Sequence, residues 1–167
     1  MELSKLSRVC DSAENDAVLS MLYRALSEEI HAWYQYWIAV PTLVGKERKN
    51  IEDSFTEFAD DELNDHALKL RKRIEELGGS FEPINNPLSW SSHAGSPYII
   101  PCPSGDVRTL VEQNIVAETS AIETYTQLCN MTKGVDYNTY TISKQILMDE
   151  QEHLNKLQNY LEDILNQ

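Results

Sequence analysis

Each of four stretches in this chain repeats apolar residues at the helical period of 3.6, and each breaks its apolar stripe with a glutamate near the middle. The first, from about Asp16 to Val40, reads Leu22, Leu26, Glu29, Trp33, Tyr36 and Val40. The second, from about Arg48 to Leu77, reads Phe55, Ala59, Glu62, His66, Leu70, Ile74 and Leu77. The third follows Ser104, a candidate N-cap, as Val107, Val111, Asn114, Glu118, Ile122, Tyr125 and Cys129. The fourth follows Asn138 as Ile142, Ile146, Glu150, His153, Leu157, Leu161 and Ile164. A plain bundle would place leucine where Glu29, Glu62, Glu118 and Glu150 stand. Burying one unpartnered carboxylate costs several kcal/mol, and four together also repel one another. Something must neutralise them.

Charge counting names the neutralising species. Four ionised glutamates are balanced by two divalent ions, and neutral imidazoles at His66 and His153 add donors without charge. Carboxylate oxygen with imidazole nitrogen suits iron or manganese, and no thiolate cluster points to structural zinc. Spacing agrees. Glu150 and His153 are three apart, about 4.5 Å along a helix and on one face. Glu62 and His66 are four apart, about 6 Å, again on one face. Glu29 and Glu118 enter from the other two helices and can bridge the ions. Glu29, Glu62, His66, Glu118, Glu150 and His153 are therefore the expected metal ligands and the expected catalytic set.

The expected fold is all-α: one domain over 1–167 with four long helices at about 16–45, 48–77, 105–132 and 139–165. Pro41 disturbs the end of the first helix, and Gly78-Gly79 stops the second, the second glycine being free to take a left-handed cap. Short turns join the first helix to the second and the third to the fourth, so each pair forms an antiparallel hairpin. Ser80 to Pro103 is too long for a turn and too proline-rich for a helix, so it is expected to cross the length of the bundle.

A net charge of −13 repels phosphate backbones, and Lys5 and Arg8 do not make the first sixteen residues basic, so no nucleic-acid partner is expected. A negative field also gathers cations. No stretch nears the ~18 apolar residues of a membrane span, and Met1 to Asp16 has no apolar signal core of ~7–15 residues. No membrane partner is expected, and the expected location is cytoplasmic. Three cysteines, Cys10, Cys102 and Cys129, are too few for a disulfide scaffold.

One glutamate from each of two helices, with paired glutamate and histidine from the other two, is the arrangement known from ferritin-like di-iron bundles. The chain resembles that superfamily in detail. Glu29-Ile30-His31-Ala32-Trp33-Tyr34-Gln35-Tyr36 is similar to the first ligand helix of bacterioferritins. Asp65-His66-Ala67-Leu68-Lys69-Leu70 with Leu77-Gly78-Gly79 is similar to the second. Ala117-Glu118 and Ile146-Leu147-Met148-Asp149-Glu150-Gln151-Glu152-His153 are similar to the third and fourth. The turn around Leu128-Cys129-Asn130-Met131-Thr132-Lys133-Gly134-Val135-Asp136 resembles that of the Dps-like ferritins, or thioferritins. Two departures stand out. The family spaces glutamate and histidine by three on the second helix; here Leu63 occupies that glutamate position, which points to one inserted residue, as in a π-bulge. Asp61 or Asp65 remains an alternative carboxylate to Glu62. Leu63 also replaces the methionine that binds haem in bacterioferritins, so no haem is expected there.

The resemblance implies an antiparallel ferritin-like bundle and a ferroxidase. It would oxidise Fe(II) at a pair of iron ions, with manganese or zinc as substitutes, using hydrogen peroxide or dioxygen. It also implies ferric storage in a homo-oligomeric cage, a dodecamer ahead of a 24-mer, and protection against oxidative stress. Tyr36 would hydrogen-bond a bridging carboxylate, with Tyr125 placed similarly, and Cys102 would pair with Cys129. The competing readings are a di-iron or di-manganese peroxidase or oxidase without a cage, and a metal-free helical interaction module.

Overall fold

The computed structural model describes residues 12–80 and 105–166, and all its long elements are helices. They are α1 (Ser12–Ala39), α2 (Arg48–Asp61), a π turn (Glu62–His66), α3 (Ala67–Glu76), α4 (Val107–Thr132) and α5 (Tyr137–Leu165). The stretch α2–π–α3 is one continuous bundle helix, so the architecture is the four-helix bundle expected. Cross-bundle contacts set the directions. Tyr125 meets Glu29 while Asn114 meets Gln35, so α1 and α4 are antiparallel. Tyr160 meets Ser54 while Thr139 meets Arg73, so α5 runs antiparallel to the second bundle helix.

The residues 81–104, with the candidate thiol Cys102 and His93, lie outside the described residues, as does Cys10. The two ends of that segment are nonetheless placed. Ser80 O accepts from Tyr23 Oη in the first half of α1, and Gly105 O accepts from Val44 N, 3.1 Å, beyond its end. Those anchors are about 30 Å apart at 1.5 Å per helical residue.

Several boundaries differ from the expected ones, each for a local reason. Proline at position 41 lacks an N–H, and the α-helix gives way at Ala39 to a 3₁₀ turn over Val40–Thr42. Asp106, not Ser104, caps α4 by accepting from Thr109 N at 2.9 Å. Asp136 caps α5 from Thr139 N at 3.0 Å, two residues ahead of Asn138. Arg73 clamps that cap to the second bundle helix, with both Asp136 oxygens at 2.9–3.0 Å and Thr139 Oγ1 at 2.8 Å. The left-handed residue ending α3 is Gly78, φ +80°, rather than Gly79.

Gly105 is where the fold is least forgiving. It has φ +65°, and an added Cβ would stand 1.7 Å from the backbone carbonyl oxygen of Thr42. Gly105→Ala is expected to cost on the order of 3 kcal/mol, combining the left-handed penalty with a backbone overlap that no rotamer relieves. Thermal melting should drop by roughly 6–12 °C for a domain of this size. An unchanged melting temperature would refute the close approach.

The interior divides into two apolar clusters with a polar layer between. Tyr36, Ile51, Phe55, Phe58, Leu110, Val111 and Leu157 form one, and Leu22, Leu26, Leu70, Ile74, Tyr125, Leu128 and Ile146 the other. The apolar packing on both sides holds the backbone of all four helices at the polar layer.

Candidate metal centre

The six expected ligands converge in that layer. Glu29, Glu62, Glu118 and Glu150 are at most 2% exposed, His66 is fully buried and His153 is 3% exposed. Their ligand atoms fall into two groups, each within 4.8 Å: Glu29, Glu62, His66, Glu150, and Glu62, Glu118, Glu150, His153. Glu62 and Glu150 therefore belong to both groups, whereas Glu29 and Glu118 each belong to one. Glu29 and Glu118, expected to bridge, thus each face a single group. The carboxylates shared between the groups sit on the same two helices as the histidines.

The π turn explains the irregular spacing. Ala67 N–H reaches back to Glu62 O, five residues earlier, which widens the turn by one residue. Both Glu62 and His66 face inward from this turn. Asp61 and Asp65, the alternatives to Glu62, lie outside both of these groups. Asp61 has its carboxylate 43% exposed and Asp65 47%.

Within the cluster, His66 Nδ1 lies 3.2 Å from Glu29 Oε2, 3.2 Å from Glu62 Oε2 and 3.3 Å from Glu150 Oε1. His153 Nδ1 lies 3.5 Å from both Glu62 Oε1 and Glu150 Oε2, and 4.0 Å from Glu118 Oε1. The Phe58 ring packs on the His153 ring with centroids 4.1 Å apart, which limits its rotation. Tyr36 Oη donates to Glu118 and Tyr125 Oη donates to Glu29, each across the α1–α4 contact. Each tyrosine thus holds the glutamate of the facing helix. Burial first, then the facing carboxylates Glu118 and Glu29, keep both phenols well above their usual range and hence protonated donors.

The electrostatics are those of an overfilled acidic site. Burial first, and then the charge of Glu150, push Glu118 well above the carboxylate range; burial and Glu29 raise Glu62. Glu150 is held low: burial and Glu62 oppose this, but the facing imidazoles of His153 and His66, 3.5 and 3.3 Å away, outweigh them. Burial alone would lower both histidines, yet the surrounding carboxylates win and raise His66 strongly and His153 to about 11. Even so, Glu62 Oε1, both oxygens of Glu150 and His153 Nδ1 are buried with no hydrogen-bond partner among the described residues. Buried polar atoms without partners are rare in native folds. Here they converge on one small space, as donors to a metal pair would.

Other candidates fall elsewhere. Cys129 is partly buried on α4, where burial raises its thiol against the opposing pull of Lys144; its expected partner Cys102 is outside the described residues. Trp37 is 56% exposed and stacks on Trp33 at 6.0 Å, so it is not a core residue. His31 is buried on α1 but outside the six-residue cluster. Sequence reasoning missed the facing of Asp61 toward His153 and of Asp149 toward His66. The doublets Asp61-Glu62 and Asp149-Glu150 were the available signal.

Known proteins are similar to this chain. The chain is 38% identical to a dodecameric thioferritin, the bacterioferritin-related protein of Bacteroides fragilis, with a TM-score of 0.84 over 91% of this chain and 88% of that one. It is 25% identical to the Desulfovibrio desulfuricans bacterioferritin, described with a diiron site, at a TM-score of 0.69 over 92% of this chain and 83% of that one. Over 138 residues it is 29% identical to the DNA protection during starvation protein of Pyrococcus furiosus, covering 83% of this chain and 73% of that protein. Residues 19–166 match the Ferritin family, described as a ferritin-like domain. With that match across nearly the whole chain, and a bundle carrying bacterioferritin- and Dps-like features, the protein belongs to the ferritin-like di-iron superfamily.

Proposed function

We propose that the chain is a ferroxidase and iron-storage protein that oxidises Fe(II) at a carboxylate-bridged di-iron centre, using hydrogen peroxide or dioxygen. The observation that carries this reading is the set of buried, partnerless oxygens on Glu62 and Glu150, shared between the two ligand groups. Two bound iron ions would each supply one electron, and with two protons these reduce hydrogen peroxide to two waters.

The protein's part is geometric and electrostatic. Glu62 and Glu150 would be shared by both ions, with Glu29 and His66 serving one and Glu118 and His153 the other. Tyr36 and Tyr125 hold the unshared glutamates in one orientation. The histidines must give up a proton before Nδ1 can donate its lone pair. The cavity at the cluster has about 20 Å³ of room, lined by Glu29, Glu62, Glu118 and Glu150 among others. That is room for guests the size of a water molecule or an ion. Pockets for organic substrates run to ~300 Å³ or more. This supports small inorganic substrates over an organic oxidase.

Storage requires a shell, and the relationship to a dodecameric thioferritin favours twelve copies. The net charge of −13 argues against a nucleic-acid partner, whatever the P. furiosus relative's name. Native mass spectrometry combined with anaerobic Fe(II) titration tests the whole reading. The expected result is a twelve-chain particle that takes up two Fe(II) per chain before peroxide or air oxidises them. A species of one or two chains would eliminate storage, and failure to bind iron would eliminate the ferroxidase.

A further inference from the structure

The cavity at the carboxylate layer lies along the seam between α1 and α4. On α1 it is lined by Glu28, His31, Ala32 and Gln35, which share one helix face at the spacing i, i+3, i+4, i+7. On α4 it is lined by Ala117 and Ala121 on either side of Glu118. The alanines at 32, 117 and 121 leave room where larger side chains would close the seam. Gln35 is 6% exposed, and Asn114, which meets it from α4, is 1% exposed. Gln35 Nε2 donates to Asn114 Oδ1 at 2.9 Å, and Asn114 Nδ2 donates to the Leu110 carbonyl oxygen at 2.8 Å.

This relay fixes which way both amides face. A backbone carbonyl can only accept, so the arm of Asn114 at Leu110 is its NH2 and the arm at Gln35 is its oxygen. Gln35 answers with its own NH2, which leaves Oε1 as the polar atom it offers to the cavity. We infer that Gln35 is a specificity-determining residue for the oxidant, its Oε1 accepting a hydrogen bond from hydrogen peroxide in the cavity. Asn114 is the positioning residue that holds the amide that way round. The inference rests on the ferroxidase reading above.

The chemistry separates the two oxidants. Hydrogen peroxide carries two O–H donors and dioxygen carries none, so a fixed acceptor favours the first and is indifferent to the second. The glutamates of the layer are committed to the ions once these are bound. A glutamine oxygen is neutral, so it competes little for the cations and keeps its lone pairs for a donor. The cavity has about 20 Å³ of room, where one water needs roughly 10–15 Å³, so it suits a guest of two oxygen atoms.

The test uses the full-length protein, loaded anaerobically with Fe(II) and mixed rapidly with hydrogen peroxide or with dissolved dioxygen. Gln35→Leu keeps the bulk and removes the acceptor. It should lower the ratio of the peroxide rate to the dioxygen rate about 3–10-fold, the loss of one neutral hydrogen bond. Asn114→Leu leaves Gln35 in place but frees its amide to turn, and its ratio should lie between those of the parent and Gln35→Leu. Circular dichroism and Fe(II) stoichiometry should match the parent in both variants. A second readout needs no turnover. Crystals of the parent loaded with redox-inert zinc(II) and soaked in hydrogen peroxide should show a peroxide oxygen about 2.7–2.8 Å from Gln35 Oε1. The inference is overturned if the ratio in Gln35→Leu stays at the parental value, whether or not both rates fall, or if no peroxide touches Gln35 in the soaked crystals. A parent that oxidises Fe(II) with neither reagent would overturn the ferroxidase reading and this one together. A parent active with peroxide beside an unaffected Gln35→Leu would overturn the oxidant role alone.

Discussion

Glu150→Ala is expected to give a folded chain that holds neither metal ion, whereas Glu29→Ala should still hold one. Glu150 belongs to both ligand groups, and both its oxygens are buried without a hydrogen-bond partner among the described residues. Deleting it removes a donor from each ion at once. Losing an outer hydrogen-bond partner already weakens a site about 10–100-fold, so losing a shared ligand should weaken each ion by more than about 100-fold. Glu29 belongs to one group only, which leaves Glu62, Glu118, Glu150 and His153 complete. Its removal strands the buried Tyr125 hydroxyl, at a cost of about 1–3 kcal/mol in stability, without touching the second group. The backbone of α5 should persist in Glu150→Ala because alanine is the better helix former. Metal analysis after equilibration with Fe(II) under argon and gel filtration would read close to two, one and zero ions per chain for the parent, Glu29→Ala and Glu150→Ala. Equal losses in the two variants would contradict the division into shared and unshared carboxylates.

That division shows where the sequence stopped being informative. The buried cluster of six candidate ligands was legible because a carboxylate in the middle of an apolar stripe has few physical explanations, and four such stripes share one. The π turn was legible only through the resemblance: the family's three-residue glutamate–histidine spacing becomes four here, which pointed to one inserted residue. Which carboxylates are shared was not legible. Spacing along one helix places a residue on a face, but it does not say which face lies diagonally across the bundle. Asp61 and Asp149 were hidden for a different reason. A half-exposed aspartate on an acidic helix looks like any solvated residue until the facing helix brings an imidazole to it. The cap of α5 was misplaced by two residues because asparagine and aspartate are near-equivalent caps, and the clamp that selects Asp136 comes from Arg73, more than sixty positions away. The Cys102–Cys129 pairing concerns a segment outside the described residues.

Metal binding should reverse the pH dependence of stability. In the metal-free protein the carboxylates hold His153 protonated up to about 11 and raise His66 further, against burial that would lower both. A histidine raised above its unfolded value of 6.5 contributes stability that is complete below that value and lost as pH climbs toward the folded one. Glu62 and Glu118, raised mainly by burial, act in the same direction, because each is more protonated folded than unfolded above 4.5. Glu150 is lowered and acts oppositely, but its contribution is already complete by neutral pH. The metal-free melting temperature should therefore fall steadily from about pH 6.5 to 9. Ion binding needs those same imidazoles neutral and carboxylates ionised, so it releases protons and tightens as pH rises. At a hundredfold excess over its dissociation constant, each ion contributes about 2.7 kcal/mol. Two such ions would raise the melting temperature by roughly 10–20 °C near pH 8. Near pH 5.5 protons outcompete the ions and the shift should nearly vanish. Zinc(II) is the suitable probe because it undergoes no oxidation, and melting curves at pH 5.5, 7 and 8 with and without chelator would measure the effect. A metal-induced shift that shrinks as pH rises would mean that the histidines do not surrender protons on binding. The buried quartet of glutamates would then owe its tolerance to something other than a pair of cations.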